Sequence, residues 1–196
     1  TALVGAWPVP VREITLLGHS MGGLVARGAL QLASEQGSPW LALTPRVFFL
    51  GTPHAGAPLE RIGHWVDELL RALPMTGALA RLGAARSAGI TDLRHGRVLP
   101  PRAAGGGDSR VRTDRAHPAL PTSVRGFAIA ASLTPDSADS RRLQAGLRAL
   151  SRRWIGDGLV PVRSALGESA DPRLRLAIAA ADRAVVPATG HFDLLR

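Results

Sequence analysis

A serine flanked by glycines is the pattern in this sequence that points most directly to chemistry. Residues 18–23 read Gly-His-Ser-Met-Gly-Gly, which places Ser20 within Gly-x-Ser-x-Gly. The pattern alone is weak evidence, because a glycine-turn with an ordinary serine can produce it. Here it follows an apolar segment and opens a predicted helix, the placement that a nucleophilic serine requires. We therefore predict that Ser20 is a nucleophile.

The elements on either side would hold Ser20 at the tip of a strand-to-helix turn. Residues 13–20 form a short apolar run typical of a buried strand, and residues 22–36 carry leucines at helical spacing before Gly37. Glycines beside the serine remove Cβ atoms that would collide with nearby backbone. A helix begins with N–H groups that lack a partner within it, so we expect the Met21 N–H to stabilise an oxyanion.

Strands and helices alternate along the rest of the chain. Strands are predicted over 46–51, 125–131 and 183–186, with 174–178 as a competitor for the last, and helices over 60–73, 76–87 and about 143–154. Residues 97–121, rich in proline, glycine and arginine, are predicted as a long mobile loop. The alternation indicates parallel βαβ units and an α/β fold.

Four segments, taken together, resemble the α/β-hydrolase superfamily. GHSMGG is the form common among its lipases and esterases, and three later segments are similar to the bacterial lipase-like and PGAP1-like branch. Those segments are GTPHAGAP at 51–58, GDGLVPVRSALG at 156–167 and GHFDLL at 190–195. The resemblance implies a mostly parallel sheet, of which about four strands are present, with flanking helices and a helical cap insertion. It also implies a triad in the chain order serine, acid, histidine.

His191 is the predicted general base. It is the last of six histidines, follows the final predicted strand, and comes after Gly190, which allows the loop to bend. His19 neighbours Ser20 along the chain but should point elsewhere, so we expect it to pack, line the pocket or lie near the oxyanion. His54 either lines the pocket or is a structural loop histidine. Weaker candidates lie in or after predicted helices or in the arginine-rich loop: His64, His95 and His117.

Asp157 is the predicted acid that orients the base. Glycines on both sides allow a tight loop that aims its carboxylate at His191, and the apolar residues that follow would fix that loop to the core. Asp136, after the third predicted strand, is the runner-up, with a helix N-terminal role as its alternative. Asp193 lies two residues after the histidine, which we expect to be too close to fold back.

The resemblance implies a serine esterase or lipase that forms an acyl-enzyme on Ser20, with a small-molecule or lipid ester as substrate. The same triad could instead transfer acyl groups or cleave thioesters. A third possibility is a non-enzymatic binding fragment. A stripe at Ile62, Trp65 and Leu69 could face an acyl chain, or it could pack on the sheet.

Composition argues against several other classes of protein. The formal net charge is +9, but every one of the 24 basic residues is arginine, and the chain has no tyrosine. Nucleic-acid surfaces normally mix lysine with arginine and interleave aromatic residues, so we expect no nucleic-acid partner. Charge-free stretches reach 13 residues, too short for a membrane span. With no cysteine, thiolate chemistry is excluded, and we expect no metal or cofactor.

The length of 196 residues suits one domain. In the superfamily, however, further strands precede the nucleophile strand, and one of their loops supplies a second oxyanion N–H. We therefore expect residues 1–196 to be the carboxyl-terminal part of one domain, with a cap insertion at 59–120. The chain alone is expected to show little esterase activity, and a version extended upstream to recover it. Neither oligomeric state nor localisation follows from the sequence.

Overall fold

Four parallel strands form one sheet at the centre of the described structure. The computed structural model describes residues 2–55, 119–135 and 156–196. The strand order is β1-β2-β3-β4, with bounds Thr15–His19, Arg46–Leu50, Arg125–Ala131 and Arg183–Val186. All three strand pairs are parallel. The predicted α/β class and the mostly parallel sheet are therefore confirmed.

Helices and short helical turns connect and flank these strands. Over the described ranges, the α-helices are α1 (Ala2–Ala6), α2 (Met21–Glu35) and α3 (Val162–Ala165), and the 3₁₀ helices span Pro39–Leu43, Pro172–Leu174, Ala180–Asp182 and Phe192–Leu195. The longest of them, α2, follows the turn after β1 and packs against β1 and β2, as the helix that connects two parallel strands does. Among the described residues, no helix is both long enough and apolar enough to cross a bilayer.

The core lies between the sheet and the elements that cover it. Branched and aromatic residues of β2 alternate with less buried neighbours, and small alanines of β3 allow the covering segments to approach closely. Its most buried apolar members come from α2, the strands and the carboxyl-terminal third: Leu30, Val47, Phe49, Ala128, Ala130, Val160, Ala165 and Leu176. This core fixes the sheet whose carboxyl edge carries the functional loops.

Strand register aligns the carboxyl ends of the strands. His19 at the end of β1 lies opposite Leu50 at the end of β2, and Leu50 lies opposite Ile129 in β3. The segments that follow these strands therefore emerge at one edge of the sheet. Parallel α/β sheets place their sites at this edge, because all the strand-to-helix connections gather there.

The predicted strands and the first predicted helix are present: β3 and β4 have the predicted bounds, and the ends of β1, β2 and α2 differ by at most two residues. The competing strand at 174–178 is wrong. Leu176 and Ile178 are buried and alternate with exposed neighbours, which produced the strand-like pattern. The Leu176 N–H, however, donates to the Gly167 carbonyl, and Pro172 opens a 3₁₀ turn just before, so the segment is extended chain without a place in the sheet.

Several predictions fall on residues outside the described ranges. They are the helices at 60–73, 76–87 and 143–154, the cap at 59–120 and the loop at 97–121, of which only residues 119–121 are described. Asp136, His64, His95 and His117 also lie outside.

Candidate active site

Ser20 occupies the strained turn between β1 and α2. Its backbone has φ 56 and ψ −128, a region that residues other than glycine rarely adopt. The Ser20 N–H donates to the Leu50 carbonyl at 2.8 Å, which ties the turn to the end of β2. The side chain is largely buried, at 8% exposure. The turn thus presents the hydroxyl at the carboxyl edge of the sheet, as its motif predicts.

Two glycines make this turn possible. They are Gly18 and Gly23, whereas the Gly-x-Ser-x-Gly pattern pairs Gly18 with Gly22. A Cβ on Gly18 would lie 2.5 Å from the Gly23 Cα, and a Cβ on Gly23 would lie 2.0 Å from the Thr52 Oγ1. A Cβ on Gly22 would meet no atom of the described residues within 4 Å. The close approach therefore depends on Gly18 and Gly23, whereas Gly22, the second glycine of the motif, is not required sterically.

His191 lies against Ser20 although 171 residues separate them. Its Nε2 is 2.8 Å from the Ser20 Oγ, and the ring is buried. The residue lies five positions after β4 and directly before the 3₁₀ helix Phe192–Leu195. In this geometry the serine hydroxyl donates to the Nε2 lone pair, the arrangement required for proton removal.

Asp157 completes a hydrogen-bonded chain with His191. Its Oδ2 lies 2.6 Å from the His191 Nδ1, and its Oδ1 accepts from the N–H groups of Leu159 at 2.9 Å and Val160 at 2.7 Å. One oxygen is thus held by its own loop while the other faces the imidazole. Gly156 permits this loop, because a Cβ there would lie 1.8 Å from the Val160 carbonyl oxygen.

Asp193, the other candidate acid that the structure describes, is placed differently. Asp193 accepts from the Gly190 N–H at 3.3 Å and pairs with Arg196 at 3.2 Å. Its carboxylate thus closes the turn around His191 rather than contacting the imidazole. Asp136 lies outside the described residues, so its competing role as acid stays a prediction.

Gly51 directly follows β2 and lies close to the side chains of Asp157 and His191. It has φ 54, in the left-handed region that favours glycine. A Cβ at this position would lie 3.1 Å from both the Asp157 Oδ2 and the His191 Cε1. Gly51 starts the GTPHAGAP segment, and in the sequence it stands out only as part of that family motif. Its positive φ and its contact with the pair depend on tertiary structure.

Met21 begins α2, so its N–H lacks an acceptor within the helix. Its position directly after Ser20 fits the predicted oxyanion role, which stays a prediction.

His19 is half-buried, and its Nε2 lies 2.9 Å from the His191 carbonyl oxygen. Burial is the main cause that lowers the pKa of His19 below its ordinary value.

His54 is fully buried. Its Nδ1 lies 3.0 Å from a guanidinium nitrogen of Arg27, and its ring meets Phe49 edge to face at 4.7 Å. Because arginine can only donate, the Nδ1 accepts, and the His54 proton is on Nε2. These contacts fit the structural alternative for His54, and its pocket-lining role stays a prediction.

Arg27 is a buried residue that is not predicted from the sequence patterns described above. It is 2% exposed, and burial lowers its pKa to about 10. Within the described residues, its Nε and Nη2 atoms have no hydrogen-bond partner. A sequence signal did exist, since Arg27 is the sole charged residue between Ile14 and Ser34.

In the parts of the chain that the structure describes, no three histidine or acidic side chains are grouped so as to hold a metal ion.

Comparison with known proteins adds two similarities. A family model described as the PGAP1-like alpha/beta domain matches residues 7–100. Among curated proteins, none matches this sequence significantly. One similar solved structure is the mature form of the lipase BlEst2 from Bacillus licheniformis, at 19% sequence identity and a TM-score of 0.45. The alignment covers 94% of this chain and 60% of that one, so the chain spans less than two thirds of that lipase's length.

The family match includes two of the four segments that carry the predicted motifs, and the segments of Asp157 and His191 lie beyond it. Residues 7–100 contain the nucleophile turn at Ser20 and the segment after β2 that holds Gly51 and His54. The four parallel strands supply the sheet that such a domain requires. Over residues 7–100 the chain is therefore similar to the PGAP1-like alpha/beta domain, and its parallel sheet agrees with that similarity.

Proposed function

We propose that this protein is a serine hydrolase that cleaves carboxylic esters through an acyl-enzyme on Ser20. An α/β-hydrolase assignment suggests hydrolase activity in general. The observation that supports the finer proposal is the continuous hydrogen-bonded chain from Asp157 through His191 to Ser20, with distances of 2.6 and 2.8 Å. The three side chains come from three separate loops at one edge of the sheet. Packing alone does not require a buried carboxylate, imidazole and hydroxyl in this order.

In the proposed reaction, His191 removes the hydroxyl proton as the Ser20 Oγ attacks the ester carbonyl carbon. The Met21 N–H at the start of α2 donates to the carbonyl oxygen as it becomes negative. Asp157 accepts from the His191 Nδ1–H and stabilises the imidazolium that forms. His191 then gives its proton to the departing alkoxide, which leaves an acyl group on Ser20.

Water completes the cycle by the same steps. His191 takes a proton from a water molecule, which attacks the acyl carbon, and the proton returns to Ser20 as the carboxylic acid leaves. If an alcohol or amine took the place of water, the product would be a transferred acyl group. A thioester substrate would react through the same acyl-enzyme. A small-molecule or lipid ester is our proposed substrate class.

Hydrolysis of p-nitrophenyl esters by single-residue variants tests this proposal. Replacing Ser20 with alanine should reduce turnover to the background rate, because no other hydroxyl is bonded to His191 in the described residues. Asp157→Asn should lower kcat by about 10⁴-fold, because an amide cannot stabilise the imidazolium. Comparing short and long acyl chains would then separate an esterase from a lipase.

Two controls make the result specific. Ser38→Ala should retain wild-type turnover, because Ser38 starts a 3₁₀ helix without a side-chain cap hydrogen bond. Asp193→Asn should also retain most activity. Unchanged turnover in Ser20→Ala would refute the proposal, and loss of activity in Asp136→Asn but not in Asp157→Asn would transfer the acid's role to Asp136.

A further inference from the structure

His19 makes a direct connection between the nucleophile strand and the loop that carries the base. Its Nε2 lies 2.9 Å from the backbone carbonyl oxygen of His191, and the two imidazole rings have centroids 4.7 Å apart at 45°. Because a carbonyl oxygen can only accept, the proton of the neutral ring is on the His19 Nε2. His19 precedes Ser20 in the chain, so this bond joins the residue next to the nucleophile to the base itself.

The other backbone hydrogen bonds of the His191 loop lead elsewhere. The N–H groups of Ala188 and Thr189 donate to the carbonyls of Thr134 and Ser132, just after β3. The His191 N–H donates to the Asp157 carbonyl at 3.1 Å. These bonds fix the base to the residues after β3 and to the acid loop, and none of them goes directly to β1 or to Ser20.

The strand before this loop is a weak anchor. β4 lies at the edge of the described sheet, and three of its four residues are exposed. Few buried contacts therefore fix the loop through β4 itself. The His191 loop is therefore held mainly by its hydrogen bonds to the residues after β3 and to the acid loop, and by the bond from His19.

We propose that His19 is a positioning residue that holds the catalytic base against the nucleophile through its hydrogen bond to the His191 carbonyl. This inference rests on the proposed function, because it assigns His191 as the base. It goes beyond a pocket-lining role, since the His19 ring acts on the loop backbone and need not touch substrate. The lowered pKa of His19 is consistent with a neutral ring beside an imidazole that must become charged during the reaction.

Two substitutions separate the hydrogen bond from the bulk of the ring. His19→Phe keeps a flat ring beside His191 but removes the donor. His19→Gln keeps an N–H donor on a side chain of similar reach but removes the ring. A role in packing alone predicts that phenylalanine is the better replacement, whereas the proposed role predicts that glutamine is.

Kinetics and hydrogen exchange test the proposal together on the full chain. We expect His19→Phe to lower kcat for a p-nitrophenyl ester by about 10²-fold with KM little changed, as for a reacting group displaced by about 1 Å, and His19→Gln to restore most of kcat. Amides of residues 187–193 should exchange faster in His19→Phe than in wild type or His19→Gln, while the thermal midpoints of the variants stay close.

Each outcome decides a separate point. Wild-type kcat and exchange in His19→Phe, in a chain whose activity depends on Ser20, would overturn the positioning role and leave the proposed function standing. Equal loss in both variants would also overturn it. If Ser20→Ala does not reduce activity, the proposed function fails. Faster amide exchange confined to His19→Phe would even then support the hydrogen bond between His19 and the His191 loop.

Discussion

Ser20 carries backbone strain that the surrounding residues must offset. A non-glycine residue at φ 56 and ψ −128 costs about 1–3 kcal/mol. The hydrogen bond from its N–H to the Leu50 carbonyl and the absence of a Cβ at Gly18 and Gly23 make this conformation accessible. The strained conformation is needed because it directs the Ser20 Oγ toward His191 and lets α2 begin at the next residue.

A single added methyl group at Gly51 tests how closely the Asp157–His191 pair is fitted. Gly51→Ala should lower kcat/KM by about 10²-fold, because the new Cβ would press on the Asp157 Oδ2 and the His191 ring and displace the base. It should also cost about 1–2 kcal/mol of stability, because alanine is strained at φ 54. Ester hydrolysis and urea denaturation measure the two effects.

Gly37→Ala is the matched control for that substitution. Gly37 has a similar φ of 60, but a Cβ there would meet no atom of the described residues within 4 Å. It should therefore lose comparable stability and keep wild-type kcat/KM. Equal kcat/KM in the two variants would contradict the close fit of Gly51 to the pair.

At the scale of elements, the contact between α2 and the segment after β2 depends on Gly23. A Cβ at this position would overlap the side chain of Thr52, which is fully buried and cannot move into solvent. Gly23→Ala should therefore lower the free energy of unfolding by about 1–3 kcal/mol. Gly22→Ala should be neutral or stabilising by up to about 1 kcal/mol, because it adds helix propensity without a clash.

Chemical denaturation of the two glycine variants checks this difference. The variants place the same methyl group on adjacent residues of one helix, so propensity effects largely cancel. If Gly22→Ala were less stable than Gly23→Ala, the close approach of α2 to Thr52 would not be the reason that glycine is needed at position 23.

The strands, α2 and the loop positions of the candidate site could be predicted from the sequence. Apolar runs bounded by turn residues identified all four strands, and glycines marked the turns at Ser20, Asp157 and His191. These signals are local, since each depends on a few consecutive residues. The alternation at Leu176 and Ile178 shows the limit, because burial on one face looks the same in a strand and in extended chain outside the sheet.

Contacts between distant elements could not be predicted in the same way. The bond from His19 to the His191 carbonyl spans 172 residues, and the contact of Arg27 with His54 joins a helix to a loop. Nothing in the neighbouring sequence predicts either contact beyond the residue types, because the contact partner and the distance depend on how the elements pack. The role of Gly51 beside the acid–base pair belongs to the same class.

At the scale of the whole molecule, the pH dependence of stability should report the burial of His19. Its pKa is lowered from 6.5, mainly by burial, with the nearby His191 lowering it further and the His191 carbonyl and Asp157 opposing. The unfolded chain therefore takes up a proton at a higher pH than the folded chain does. The free energy of unfolding should fall as the pH drops through about 6.5 and should level off below the folded pKa.

Thermal midpoints measured from about pH 8 to about pH 5 can isolate this contribution. His19→Gln removes the titrating group while keeping a donor for the His191 carbonyl, and the other groups facing this site, His191 and Asp157, remain. The variant should lose less stability on acidification than wild type. A steeper loss in the variant would contradict the lowered pKa of His19.

Three distant segments converge on the Ser20 hydroxyl, and covalent labelling tests most directly whether this arrangement activates it. A fluorophosphonate probe reacts with a serine only where a base activates it, and it needs no knowledge of the natural substrate. Peptide mapping by mass spectrometry should find one adduct, on Ser20, and labelling should be slowed strongly by His191→Ala. No adduct on Ser20, or the same rate without His191, would contradict the account.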